Sequence, residues 1–214
     1  MKIEFVNVVP EPLLNEFSVS SQLWGKHVQF QTLQNSIIDA SSGKGKSTFI
    51  SLLAGIRKDY QGEILYDNKN INLLSKQEWT QIRRTKFAFV FQDLQLFDKL
   101  TVRENLLLKN NLTDFKSEKE IIDDLNELGL GNKWDQVCGN LSLGQQQRVA
   151  ILRSLLQPSE FIIMDEPFSH LDTTNTNIAL ELIYRHSMKH NSGLILTSLG
   201  DQYSIPWDQK IQLA

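Results

Sequence analysis

Cysteine occurs once in this 214-residue chain, at Cys138, so an internal disulfide is excluded and a reducing compartment is expected. That residue reads best as a small, semi-buried hydrophobe. No repeat, low-complexity tract or long linker interrupts the chain. Long hydrophobic runs are also missing: runs such as Phe161–Met164 fall far short of the ~20 residues that cross a bilayer. Nor is there a basic excess. A net charge of -3 argues against a general nucleic-acid binder. The start, Met1–Lys2–Ile3–Glu4–Phe5, carries an early acid and alternates like a strand, unlike a secretory signal. What these absences leave is one ordinary globular domain, cytosolic unless a partner takes it elsewhere.

Short apolar or alternating runs predict strands near Lys2–Val9, Phe30–Leu33, Ser36–Asp39, Glu63–Tyr66, Phe87–Phe91, Phe161–Met164 and Gly193–Thr197. Apolar spacing predicts helices over Lys46–Gly55 and Gln145–Leu156, the second with Val149, Leu152 and Leu156 on one face. Alternating strands and helices imply an α/β core with a mainly parallel sheet. Between Asp93 and Asn140 the strand signal disappears. That stretch contains the amphipathic run Glu118–Leu128 and reads as an inserted helical subdomain.

Two local patterns carry chemistry. Ala40–Ser41–Ser42–Gly43–Lys44–Gly45–Lys46–Ser47–Thr48 follows a buried strand and opens a helix. Backbone N–H groups of such a loop, with the helix N-terminus behind them, attract phosphate. Lys46 is placed to reach the outer phosphates, and the Ser47 hydroxyl to reach Mg²⁺. Ser42, Gly43, Lys44, Gly45 and Thr48 complete the expected nucleotide loop; Lys44 also reads as a solvated lysine. Farther along, Phe161–Met164 ends in Asp165 and Glu166. Ligands of α/β sheets sit beyond the carboxyl ends of strands, beside the phosphate loop. Asp165 is expected to accept from metal-bound water and Glu166 to act as general base.

The family is identified by a third segment. Leu141–Ser142–Leu143–Gly144–Gln145–Gln146–Gln147–Arg148–Val149 closely resembles the signature motif of ATP-binding cassette proteins. Phe89–Gln92 looks like the Q-loop of that family, Ser169–Asp172 its D-loop, and Leu96–Asn105 the stretch entering its helical subdomain. The resemblance covers essentially the whole chain and is similar to compact subunits of lipoprotein release, macrolide export and cell division. It implies a P-loop NTPase (RecA-like) fold with a mainly parallel sheet, an N-terminal antiparallel β subdomain and an inserted helical subdomain. Within a single 1–214 domain, residues 1–92 and 146–214 would form the nucleotide-binding core, and 93–145 the helical subdomain carrying the signature. Lys46, Gln92 and Glu166 are then the expected catalytic set, and Ser47, Gln92 and Asp165 the metal set. Ser142, Gly144 and Gln145 would contact nucleotide on a paired cassette, and Asp172 belongs to the D-loop. ATP and Mg²⁺ are the implied ligands. The implied partners are a separate transmembrane permease and a second cassette, in a homo- or heterodimer.

Four departures bear on activity. Ala40 stands for the first loop glycine, and Leu143 for the first signature glycine. Ser198 follows Thr197 where the family places a switch histidine; serine is too short and neutral to replace imidazole. His186 and His190 read as surface residues near a helix end, not as substitutes. No aromatic is evidently placed to stack on adenine; Phe17 or Trp24 would require the chain to fold back. The expected function is an ATP-binding and ATP-hydrolysing subunit energising a membrane-spanning partner in transport, peripheral on the inner face of the cell membrane. The alternative is a nucleotide-sensing or soluble cassette ATPase, slow in hydrolysis, that acts by ATP-driven dimerisation. Leu94, Phe97, Leu100 and Val102 are candidates for a groove receiving a partner helix, against their alternative as subdomain core.

Overall fold

A computed structural model describes residues 1–14, 20–41, 43–200 and 203–213. Phe17 and Ser42 lie outside the described residues. Four strands form an antiparallel sheet: β1 (Lys2–Pro10), β2 (His27–Gln31), β4 (Tyr60–Tyr66) and β5 (Lys69–Asn70), in the order β2-β1-β4-β5. A second sheet contains β3 (Asn35–Asp39), β6 (Phe87–Val90), β7 (Phe161–Met164), β8 (Gly193–Ser198) and β9 (Gln209–Gln212). Its order is β6-β7-β8-β3-β9, and every pairing within it is parallel.

The inner strands β3, β7 and β8 of the parallel sheet are buried on both faces. Phe161, Ile163 and Ile195 pack with the antiparallel sheet and α1 (Lys46–Leu53). Their neighbours Ile162, Met164, Leu194 and Leu196 pack instead with α5 (Leu143–Ser154) and α6 (Thr173–His190). α2 (Lys76–Thr85) precedes β6, while α3 (Val102–Asn110) and α4 (Glu118–Glu127) occupy the stretch between β6 and α5. Capping boxes start both: Thr101 with Glu104, and Ser117 with Glu120.

Several expectations shift. The second strand starts at His27, not Phe30, because Val28 and Phe30 turn inward whereas Leu33 sits in a turn at φ 68°. Gln-Lys-Ile-Gln of β9 offers a single apolar side chain, Ile211, too weak a pattern to read as a strand. Of the suggested groove residues, Val102 is fully buried in the core and Leu100 is half-buried, while Leu94, 7% exposed, packs in the core and also lines a groove with Phe97. Only Phe97, at 56%, is openly exposed. His186 is not a surface residue either. It is buried at the α6 end against Phe115, and its ring also contacts His190.

Candidate functional site

Because the strands of the second sheet are parallel, their carboxyl ends share one edge. The loop after β3 holds Ala40–Gly45, β6 leads to Gln92, β7 to Asp165 and Glu166, and β8 ends at Ser198. Gly43 and Gly45 adopt φ of 81° and 96°, the left-handed region that favours glycine. A Cβ on Gly45 would lie 2.9 Å from Leu13 and 3.3 Å from Trp24, so the loop is backed by these two side chains. Trp24 is 2% exposed and thus serves as a wall of the core; it is not available to stack on a base. Ala40 keeps a negative φ, and its methyl group is buried in the core. Alanine therefore replaces the first loop glycine without backbone strain.

Lys46 is 95% buried by its surroundings, being only 5% exposed. Its ammonium donates to the carbonyls of Ala40 at 2.5 Å and Ser41 at 3.2 Å, and stands 3.2 Å from Glu166 Oε1. Here the three donors of a lysine meet three oxygens, which is what a desolvated cation requires. Gly43, Gly45, Lys46, Ser47, Thr48, Gln92 and Glu166 line a cleft of about 270 Å³, with Leu13 and Leu199 on its wall. An adjoining cleft is lined by Ser47, Gln92 and Asp165. Lys44 is exposed and lines neither cleft.

The acidic pair is tied to the neighbouring strand. Thr197, fully buried, donates its hydroxyl proton to Asp165 Oδ1 at 2.7 Å and accepts the Glu166 N–H at 2.9 Å. Glu166 takes φ 46°, rare for a residue with a side chain. Ser198 is 1% exposed, and its hydroxyl accepts the Gly200 N–H at 3.0 Å.

The signature segment lies at the start of α5. Ser142 is its N-cap, accepting from the Gln145 N–H at 3.3 Å, while Gln145 Oε1 accepts the Ser142 N–H at 3.1 Å. Leu143 is 48% exposed. A Cβ on Gly144 would meet the His170 carbonyl at 2.7 Å, so this glycine lets α5 seat against the D-loop. Buried Gln147 completes that seat: it donates to the Glu166 carbonyl at 3.2 Å and accepts the His170 N–H at 3.0 Å. Asp172 caps α6, accepting from the Asn175 N–H at 2.8 Å; that hydrogen bond lowers its carboxyl pKa. The loop and acidic residues thus converge, whereas Ser142, Gly144, Gln145 and Asp172 line neither cleft. Sequence reasoning missed the roles of Gln147 and Thr197. Both stood in quoted motifs, but nothing local shows which way an amide or hydroxyl points.

A family model for ABC transporter matches residues 27–169. The chain belongs to the ABC transporter family. Relatives include the lipoprotein-releasing system ATP-binding protein LolD of Buchnera aphidicola subsp. Schizaphis graminum, 33% identical over 75% of this chain and 72% of LolD. The ABC transporter ATP-binding protein YtrE of Bacillus subtilis is 32% identical over 80% of this chain and 76% of its own length. A dimeric structure of MJ0796, a bacterial ABC transporter cassette, superposes with a TM-score of 0.74 at 29% identity, covering 91% of this chain and 87% of that one. A post-hydrolysis MJ0796 dimer bound to ADP and Pi gives 0.76 at 27% identity, covering 93% and 88%. As an ABC cassette, this chain is an ATP-binding, ATP-hydrolysing subunit that dimerises and energises a membrane-spanning partner. Among the described residues, no helix is long and apolar enough to cross a membrane.

Proposed function

We propose that the cleft is the ATPase site, with Lys46, Gln92 and Glu166 as its catalytic residues. Gly43, Gly45, Ser47 and Thr48 surround the phosphates in this reading, together with Ser42 and Lys44. The Lys46–Glu166 approach of 3.2 Å carries the proposal, because it brings the phosphate-binding cation and the general base to one cleft. Ser47, Gln92 and Asp165 offer hard oxygen donors on one wall, a set suited to Mg²⁺. A bound Mg²⁺ would supply charge neutralisation at the outer phosphates. Glu166 accepts a proton from the attacking water, and Lys46 balances the charge on the phosphate being cleaved. Ser142, Gly144 and Gln145 act on nucleotide held by a paired cassette, the exposed N-terminus of α5 presenting its free N–H groups. Asp172 shapes the adjoining D-loop by capping α6. Ser198, turned onto the Gly200 N–H, supports slow or partner-dependent turnover.

The same reading takes residues 93–145 as the helical subdomain and places the chain on the inner membrane face, beside a separate permease. A groove of about 600 Å³ supports it, lined by Ile56, Phe89, Phe91, Phe97, Leu108 and Leu112, among others. Arg83, Lys109 and Arg153 stand in that lining, and no carboxylate does. A permease segment with apolar anchors and an acidic residue fits it.

Co-purification from membranes followed by ATPase assay tests both parts. The complex should hydrolyse ATP well above the isolated chain, and Glu166→Gln should bind ATP without turning it over. Full turnover by Glu166→Gln would overturn the site assignment.

A further inference from the structure

We propose that Thr197 is the positioning residue of the acidic pair, acting by hydrogen bonding from β8. The inference rests on the cleft being the ATPase site. The strand register explains the placement. Met164 pairs with Leu196 in parallel β7 and β8, so the next residues along each strand, Asp165 and Thr197, come side by side. Both are buried, at 3% and 0% exposure. A hydroxyl has one proton to give, and an ionised carboxylate can only accept while a backbone N–H can only donate. The direction of both bonds is thereby settled: Thr197 gives its proton to Asp165 Oδ1 and receives the Glu166 N–H.

Glu166 is the consequence. At φ 46° it occupies a conformation that only surrounding contacts can hold. Its N–H is held by Thr197 and its C=O by Gln147, so side chains from two different elements tether both backbone polar groups. Its carboxylate is then aimed at Lys46, 3.2 Å away. The next hydroxyl, Ser198, accepts from the Gly200 N–H. Thr197 contacts both acids.

Valine has the shape of threonine without the hydroxyl, and serine has the hydroxyl without the methyl. With the permease complex as the enzyme, Thr197→Val should lower kcat by about 10- to 100-fold while the KM for ATP moves less than about threefold. The half-saturating Mg²⁺ concentration should rise, because Asp165 loses its orienting donor. Thr197→Ser should keep at least about a third of the parental kcat. Equal kcat in Thr197→Val and the parent, or equal losses in the valine and serine variants, would overturn the proposal. If the valine variant does not fold, Thr197→Cys decides: a thiol is a weak donor, so turnover matching that of Thr197→Ser would equally overturn it. A parallel Glu166→Gln measurement separates the two readings. If Glu166→Gln is inactive and Thr197→Val is unimpaired, only this inference fails; if Glu166→Gln is active, the ATPase-site reading fails.

Discussion

The strand-edge cleft and the aromatic groove are two hollows of the same chain with opposite electrostatic habits. In the cleft every buried charge has an internal partner: Lys46 faces Glu166 and two carbonyls, and Asp165 faces Thr197. In the groove Arg83, Lys109 and Arg153 share an aromatic and aliphatic lining with no carboxylate. Burial pushes the Lys109 and Arg153 pKa values down, and the Arg153 charge lowers that of Lys109 further. Arg83 donates to the Ala54 carbonyl and lies over the Trp79 ring, and Arg153 donates to the Leu94 carbonyl. A charge-balanced hollow can stand open in water until a small anion displaces its internal contacts. A hollow with apolar walls and unopposed cations gains most when another protein covers it.

Breaking the cleft should give the largest effect. Lys46→Ala removes the buried cation and is expected to cut turnover by roughly a thousandfold, with ATP affinity also reduced, while permease co-purification persists. Loss of the complex in that variant would mean that the two hollows are not independent. Breaking the groove comes next. Phe97→Asp, at a 56% exposed position, should lower recovery of the permease complex at least about tenfold yet leave ATP binding by the isolated chain unchanged. A third variant sharpens the boundary between them. Gly144→Ala forces a Cβ to 2.7 Å from the His170 carbonyl and should destabilise the fold by about 1–3 kcal/mol in chemical denaturation.

The smallest effect concerns acid. Burial depresses the His186 pKa to about 2, with Lys116, His190 and Lys189 adding repulsion. The unfolded chain binds a proton near pH 6.5 that the folded chain refuses, so stability is full above 6.5 and declines as pH falls. The expected slope is up to about 1 kcal/mol per pH unit between 6.5 and 5, and His186→Leu should flatten it. Since His186 lines neither the cleft nor the groove, both should weaken together in acid. Denaturation at pH 7.5 and 5.5, with and without that substitution, measures this.

Local chemistry was the legible part. The phosphate loop, the Asp165–Glu166 pair and the signature segment are each contiguous, so spacing alone exposes them. Strands with continuous apolar runs, such as Phe161–Met164, were equally plain because both faces of a parallel strand are buried. His186 was misread, and Val102 was left open between groove and core, for one shared reason. Val102 looks like an exposed apolar anchor until α3 turns it inward, and His186 looks like a surface histidine until Phe115 covers it. β9 escaped notice because its pairing with β3 comes from the backbone, and three of its four side chains are polar.

The sequence by itself determined the family, the glycine- and lysine-bearing loop after β3 and the identity of the acidic pair, because these depend on residue type at short, fixed spacing. Tertiary structure alone decided how the pair is held. The Thr197–Asp165 contact joins residues 32 positions apart, and it exists because β7 and β8 lie parallel in one register. The same long-range geometry turned Trp24 into a wall behind the loop and left Phe97 open over the groove. Residue type states what a side chain can donate, accept or bury; packing settles which neighbour it meets.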